Sequence, residues 1–258
     1  MLCVGKMSIE IIQGNNLDVL STFKDGSVRL IYIDPPFNTG KTQARANKSY
    51  KDSFDNFNEF IVPRIKEAHR LLTDDGSFFI HMDWRECHYV KVWTDEIFGR
   101  DNFMNEIIWS FDYGGRSKKK WSAKHNNIFW YVKDKDNYIF NYDEIDRIPY
   151  LAPGLVGEEK AAKGKTPTDS WWSTIVHTNG KEKTGYPTQK PLKILERIVK
   201  VHSMPGDLTM DFFAGSGSFG YAAGLHGRNC VLIDQNPTAI EIMKKRFSSV
   251  ESVTCLEG

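Results

Sequence analysis

The chain has 258 residues, 40% hydrophobic and 26% charged, the make-up of an ordinary soluble globular protein rather than a disordered or membrane-embedded one. That length suits one substantial domain with room for an insertion. With 34 Lys and Arg against 33 Asp and Glu the formal net charge is only +1, which taken alone argues against a surface built chiefly to hold a polyanion.

The charge is laid out unevenly: residues 1–112 carry −4, residues 113–190 carry +5 and residues 191–258 carry 0, so the middle third is the electropositive part. No apolar run approaches the ~20 residues a membrane helix needs, and the start of the chain has no signal-peptide core. A cytoplasmic location is therefore expected. Cys3, Cys87, Cys230 and Cys255 are scattered, with no Cys-x-x-Cys pair and no His at finger spacing. Structural zinc, any other metal site and a disulfide framework are not expected, and the cysteines should be reduced and mostly packed.

In chain order, the first strong element is Val28 to Ile33, an apolar β-branched run of strand length that stops at Asp34-Pro35-Pro36-Phe37. Helical periodicity runs from Phe57 to Leu72. Asp74-Asp75-Gly76 then turns the chain into a strand at Ser77 to His81, completing a β-α-β unit. A helix is predicted over Tyr89 to Phe98, and strands over Glu106 to Trp109 and Asn127 to Lys133. From Tyr142 to Tyr186 periodicity fails, and the stretch is too long for an ordinary loop, which marks a functional insertion or a partly mobile segment. Pro191 suits the first turn of a helix carrying Leu192, Ile194, Leu195 and Ile198 on one face. A second β-α-β unit follows: a strand at Leu208 to Phe213, a glycine-rich turn, a small-residue helix, and a strand ending at Asp234.

The turn Gly215-Ser216-Gly217-Ser218-Phe219-Gly220 fits G-x-G-x-x-G between strand and helix, and Asp234 lies 19 residues after its first glycine at the tip of the next strand. Glycines let backbone approach a ligand closely, and a carboxylate at that tip can accept both ribose hydroxyl hydrogens. A nucleoside cofactor is expected. The motif alone admits a nicotinamide dinucleotide and an oxidoreductase, or S-adenosylmethionine and a transferase.

Asp34-Pro35-Pro36-Phe37-Asn38 is more informative, because strand carboxyl ends are where α/β folds place their chemistry. Proline lacks an N–H and fixes φ, so the turn is a stiff array of acceptors. The Asp34 carboxylate and the Pro35 carbonyl can accept both hydrogens of one amino group. An exocyclic amine of adenine or cytosine is a poor nucleophile, and two converging acceptors stabilise positive charge developing on its nitrogen. Phe37 offers a ring face to a base, worth ~1 to 3 kcal/mol by the range for base stacking. The plain alternative is a proline-terminated strand with a packed phenylalanine.

With these residues the chain resembles the β group of DNA amino-methyltransferases, which modify N6 of adenine or N4 of cytosine. Asp34-Pro35-Pro36-Phe37 looks like their catalytic motif. Asp211-Phe212-Phe213-Ala214-Gly215-Ser216-Gly217 looks like their S-adenosylmethionine motif, and Thr188-Gln189-Lys190-Pro191 resembles the cofactor-side motif preceding it. The catalytic motif comes first and the cofactor motif last, a circular permutation. The resemblance runs from about Gln13 to Phe247 and implies an α/β, Rossmann-like methyltransferase fold: a mostly parallel central sheet with one antiparallel strand, in a single domain over 1–258. It implies S-adenosylmethionine as cofactor, held by Asp211, Phe213, Ala214, Gly215, Ser216, Gly217, Ser218, Asp234 and Asn236, with Gln189 and with Lys190 at the carboxylate end. Relatives usually have Gly-Asp where this chain has Gly14-Asn15, so the expected adenine-ring contact comes from Asn15 or is absent. An initial Asp followed by Phe-Asn-Thr-Gly resembles adenine enzymes more than N4-cytosine enzymes. The absence of any Pro-Cys pair disfavours methylation at ring carbon C5, which needs a thiolate.

Double-stranded DNA is the implied substrate, and a base inside a duplex reaches such a turn only by flipping out. Lys41, Arg45, Lys48 and Lys51 form a basic loop straight after the catalytic turn. Arg116, Lys118, Lys119, Lys120 and Lys124, interleaved with Tyr113, Trp121 and His125, suit phosphates and base edges; a solvated surface is the plain alternative for each. The resemblance makes residues 113–186, with Trp171 and Trp172, the target-recognition segment. It admits a homodimer and a cognate restriction endonuclease without choosing either. His81 and Asp83 end the strand beside the catalytic one and could line a base pocket or only support it. His177, His202 and His226 have no partners at ligand spacing, and Trp109 and Trp130 read as core. A dinucleotide-dependent oxidoreductase leaves the Asp-Pro-Pro-Phe turn without a job. A non-catalytic DNA-binding module would not need Asp34.

Overall fold

A computed structural model describes residues 7–45, 48–177, 180, 182–250 and 252–257, with only the backbone described for 42–45, 48–51 and 257. The chain runs β1 (Ile9–Gln13), α1 (Asn16–Leu20), β2 (Val28–Ile33), β3 (Lys41–Arg45), β4 (Lys48–Asp52), α2 (Phe57–Leu71), β5 (Leu72–Met82), α3 (Cys87–Phe98), β6 (Phe103–Ser110) and β7 (His125–Val132). It continues with α4 (Glu158–Lys163), β8 (Ser170–Trp172), α5 (Leu192–His202), β9 (Leu208–Asp211), α6 (Ser218–Leu225), β10 (Asn229–Asp234), α7 (Pro237–Arg246) and β11 (Val253–Glu257).

Nine strands form one sheet in the order β11-β1-β10-β9-β2-β5-β7-β6-β8. β7 pairs antiparallel with both β5 and β6, and the other ladders are parallel. The α/β class and the mostly parallel sheet with one antiparallel strand are therefore as expected. Alternation along each strand sends side chains to two faces. Leu30, Tyr32 and Phe79 pack with α5, α6 and α7 on one side. Ile31, Ile33, Phe78 and Ile80 pack with α1, α2 and α3 on the other. In α2 the stripe Phe57, Ile61, Ile65, Ala68 and Leu71 follows helical spacing and is buried. Its fully covered isoleucines Ile61 and Ile65 each contribute about 1.5–3 kcal/mol by area burial. Asn56 caps its start by accepting the Glu59 N–H.

Some elements depart from the sequence reading. β1, α1, β8, α7 and β11 are additional; β1 and β11 are short and lie at one end of the sheet, where pairing with β10 and with each other organises them. The stretch read as a basic loop is an antiparallel hairpin, β3 with β4. Pro191 is not inside the helix but its N-cap, with ψ 138°. Within Tyr142 to Tyr186 the chain does form short pieces, and β8 adds a parallel strand beside β6. Cys87 and Cys230 are buried, Cys255 is exposed, and Cys3 lies outside the described residues.

Candidate active site

From β9 the chain crosses to β10 on one side, and from β2 it crosses to β5 on the other, so the β9/β2 pair is the topological switch point of the sheet. Ligands of open α/β sheets bind outside the carboxyl ends of the strands at such a point. Asp211 ends β9 and Asp34 follows β2 there. Between them lies a cavity of about 380 Å³, within the ~300–1,000 Å³ usual for small-molecule sites.

Of the residues expected at the cofactor, Asp211, Phe213, Ala214, Gly215, Ser216, Ser218, Asp234, Asn236, Gln189 and Lys190 line this cavity, as do Asp34 and Pro36 from the Asp-Pro-Pro-Phe turn. Gly215 has φ 49°, and a Cβ there would lie 2.9 Å from Cε1 of Tyr186, another wall residue. Gly217 (φ 70°) does not line the cavity. It starts α6 in the left-handed region, and a Cβ there would meet Met243 Cγ at 2.9 Å, so its need for glycine comes from packing on α7. Asn15 is likewise not a wall residue: its side chain caps α1 by accepting the Leu17 N–H, while Gly14 and Asn16 beside it face the cavity. The Gln189 amide holds its own turn, accepting from Thr184 N and Oγ1 at 2.9 and 2.8 Å and donating to Glu182 O at 2.7 Å.

Asp34 is the electrostatic centre. Lys190 Nζ, only 8% exposed, donates to Asp34 Oδ2 at 2.5 Å. The other oxygen, Oδ1, is buried with no hydrogen-bond partner among the described residues. Burial pushes the Asp34 carboxyl above the usual range, with Lys190 pulling it down and Asp52 adding to the rise. Burial also raises Asp211 well above normal, against the pull of the Phe213 N–H and reinforced by Asp34 and Asp234. Asp234 is raised by burial too, although it accepts from Gly215 N and Asn236 N, each at 2.8 Å.

The Asp-Pro-Pro-Phe turn is fastened from both sides. Asn38, at φ 54°, donates its N–H to Asp52 Oδ1 at 2.7 Å and its Nδ2 to Glu86 Oε1 at 2.8 Å, and accepts from Phe54 N at 3.0 Å. Pro35 is buried beneath. Phe37 does not line the cavity; its ring stacks on His81 with centroids 6.0 Å apart and lies 5.1 Å from Lys190 Nζ. His81 is fully buried, with Nδ1 2.9 Å from the Tyr32 hydroxyl and Nε2 3.0 Å from Asn126 Nδ2. Burial and the Lys190 charge hold it neutral. Asp83 pairs with Arg85. Both are supporting residues rather than cavity walls.

Sequence reading missed Arg64, Asn16, Phe60 and Tyr186 in the wall. Arg64 Nε donates to Asn16 Oδ1 at 2.8 Å and its guanidinium sits 4.1 Å from the Phe60 ring centroid. Burial lowers its pKa to about 10. In sequence it is one more polar residue of an amphipathic helix; only the fold carries it to the cavity.

The carboxyl ends of β6 and β8 lie on the same sheet edge as Asp34, since both strands run parallel to β5. The segment after β6 therefore leaves the sheet at the same edge as the site, two strands beyond β5. Lys118, Lys119, Lys120 and Trp121 are exposed there, Trp121 to 98%. Arg116 pairs with Asp112 at 2.7 Å, and Lys124 donates to the Tyr113, Gly114 and Gly115 carbonyls, so these two brace the loop itself. Lys120 Nζ lies 5.5 Å from the ring of Trp84. Trp172 is exposed and Trp171 buried against the core. Lys41 is exposed; the side chains of Arg45, Lys48 and Lys51 lie outside the described residues. His202 packs between Phe79 and Trp130, His226 lies 3.2 Å from Glu196, and Trp109 and Trp130 are core.

The chain is similar to known proteins over nearly its whole length. It is 31% identical over 256 residues to DNA adenine methyltransferase YhdJ of Escherichia coli (strain K12), covering 94% of this chain and 84% of that one. It is 28% identical to Type II methyltransferase M.HpaI of Haemophilus parainfluenzae, covering 94% and 75%. The fold superposes on the M1.HpyAVI–SAM complex with TM-score 0.65 and 23% identity, covering 93% and 98% of the two chains. On the cytosine-N4-specific PvuII DNA methyltransferase the TM-score is 0.68 with 17% identity, covering 96% of each. The family described as DNA methylase, N6_N4_Mtase, matches residues 28–245, and the chain belongs to that family.

Proposed function

We propose that this protein transfers a methyl group from S-adenosylmethionine to the exocyclic N6 of an adenine flipped out of duplex DNA. One observation carries the reading: Asp34 presents a buried carboxylate oxygen with no partner among the described residues at the wall of the cavity that also holds the glycine turn and Asp234. An unpaired buried acceptor is costly, and an amine hydrogen is a fitting partner for it. The residues fit the cofactor. Asp234 would hold the ribose hydroxyls, Gly215 lets backbone approach, and the acids Asp34, Asp211 and Asp234 suit a cationic ligand. When bound, S-adenosylmethionine supplies an electrophilic methyl on a sulfonium.

The chain's own residues position and polarise the amine. Asp34 Oδ1 and the Pro35 carbonyl accept its two hydrogens, which concentrates the lone pair on nitrogen and stabilises its developing charge. The amine nitrogen forms the new N–C bond as the C–S bond breaks with its electron pair to sulfur. Asp34 Oδ1 takes the proton the nitrogen sheds, and burial, by raising its basicity, suits it to do so. No covalent enzyme intermediate is needed.

Residues 113–186 would read the DNA, within one domain of 1–258. Lys118, Lys119 and Lys120 would meet phosphates, and flipping would cost a few kcal/mol. Adenine is favoured by the Asp34 start of the turn and by the likeness to an adenine enzyme. Incubating plasmid DNA with labelled S-adenosylmethionine, followed by nucleoside mass spectrometry and sequencing, tests this. N6-methyladenine at a defined site is expected. N4-methylcytosine would overturn the choice of base, and neither product across varied DNA would overturn the reading.

A further inference from the structure

Lys190 was expected to serve the cofactor's carboxylate, yet its ammonium reaches across 156 residues to Asp34 Oδ2 at 2.5 Å. The turn that delivers it is built for rigidity. Thr188 stands at φ 59°, the Gln189 side chain ties the turn to Glu182 and Thr184, and Pro191 begins α5 straight after. The ammonium is buried, and the Phe37 ring lies 5.1 Å beneath it. Among the described residues, the remaining groups near Asp34 offer no other cation at hydrogen-bond distance. Asp52 of β4 and Asp211 at the end of β9 are acids, Tyr32 of β2 carries a hydroxyl, and His81 of β5 is held neutral. Arg64 of α2 is engaged with Asn16 and the Phe60 carbonyl.

We propose that Lys190 is a positioning residue for methyl transfer: it clamps Oδ2 of Asp34, keeps the carboxylate anionic inside a cluster of acids, and so leaves Oδ1 free and correctly aimed at the amine. The proposal rests on the methyltransferase reading of the site. It makes Lys190 the counter-charge of the catalytic acid and not the cofactor's carboxylate ligand. A buried carboxylate without its cation is pushed toward the protonated form, which cannot accept an amine hydrogen at that oxygen.

The test uses the full chain, its Lys190→Met and Lys190→Arg variants, plasmid DNA and S-adenosylmethionine. In single-turnover transfer, Lys190→Met should be slowed at least about tenfold at neutral pH. The acid limb of its pH–rate profile should move up by at least about one pH unit, the equivalent of that tenfold, and the rate should recover at higher pH. Its affinity for S-adenosylmethionine by calorimetry should stay within about threefold, a margin of under 1 kcal/mol. Lys190→Arg should restore most of the rate, because it restores the charge. An unmoved acid limb, or a loss of cofactor affinity that tracks the loss of rate, would overturn the proposal. Failure of the methyltransferase reading looks different: the unaltered chain would then be inactive on all DNA. The pair can still be tested in that case by carbon-13 carboxylate NMR titration, with Asp34→Asn identifying the signal. Asp34 should titrate at higher pH in Lys190→Met, and an unchanged midpoint would overturn the assigned role.

Discussion

Replacing Asp34 with Asn changes one atom, and the structure says which way the new side chain will turn. Lys190 Nζ can only donate, and it already occupies the Oδ2 position. The amide will therefore present its oxygen to Lys190 and its NH₂ to the cavity, a donor facing the amine hydrogens that need an acceptor. The loss is that of a charge-assisted contact formed with developing charge, a class in which removing one preorganised group costs about 2.7–4 kcal/mol, or about 10²–10³ in rate. Single-turnover transfer from labelled S-adenosylmethionine should fall by at least that much, while cofactor affinity by calorimetry changes by less than about threefold. The geometry also predicts a reversal of sign. Adding Lys190→Met to Asp34→Asn lets the amide rotate its oxygen toward the cavity, so the double variant should transfer faster than Asp34→Asn alone, although Lys190→Met by itself should slow the unaltered chain. Such non-additivity is the mark of directly interacting side chains. Asp34→Asn within about tenfold of the unaltered rate, a margin of ~1.4 kcal/mol, or a double variant slower than the single, would refute this reasoning.

Two further outcomes follow from the same wall. Asp234→Ala removes the acceptor of the Gly215 and Asn236 N–H groups as well as the expected ribose contacts. Hydrogen bonds to charged groups are worth about 1.5–3 kcal/mol, so S-adenosylmethionine affinity should weaken about 10- to 100-fold by calorimetry, and an unchanged affinity would remove Asp234 from the cofactor site. Replacing Lys118, Lys119 and Lys120 together with Gln should lessen the slope of log binding constant against log salt for duplex DNA by up to about 2.7, at ~0.9 per phosphate contact. The same slope before and after would place the DNA elsewhere.

How much of this was legible in the sequence depends on the range of the signal. The Asp-Pro-Pro-Phe stop after a β-branched strand and the glycine turn with its acid are local patterns, and the fold puts Asp34, Gly215 and Asp234 around one cavity. The core helix over Phe57 to Leu71 was visible from its periodicity. What escaped depends on strand order or on distant partners. Asp52 clamps Asn38 only because β4 folds back on β3, Arg64 reaches the wall only because α2 covers that face of the sheet, and Asn16 rather than Asn15 faces the cavity because the N-cap of α1 claims its neighbour. Lys190 shares the cavity of the glycine turn, yet its partner Asp34 follows β2 at the switch point, where β9 and β2 become neighbours. No local pattern encodes that adjacency.

The cavity's charge also bears on the overall balance of +1. Asp34, Asp211 and Asp234 line one wall system with two cations, Lys190 and Arg64, so the fully ionised cavity carries one negative charge too many. Burial is the main cause of the upward displacement of all three carboxyls, and mutual repulsion adds to it at Asp211. A cationic ligand favours their ionised forms, so binding should draw their pKa values down and release protons. The sign is then fixed: affinity for S-adenosylmethionine should rise with pH through the range in which the free protein's acids ionise, and level off above it. Calorimetry in two buffers of different ionisation enthalpy counts the protons released. Asp211→Asn, which removes the carboxyl displaced by both burial and its acidic neighbours, should lower that count. Proton uptake on binding, or an affinity that falls as pH rises through that range, would mean that the acids do not face the sulfonium.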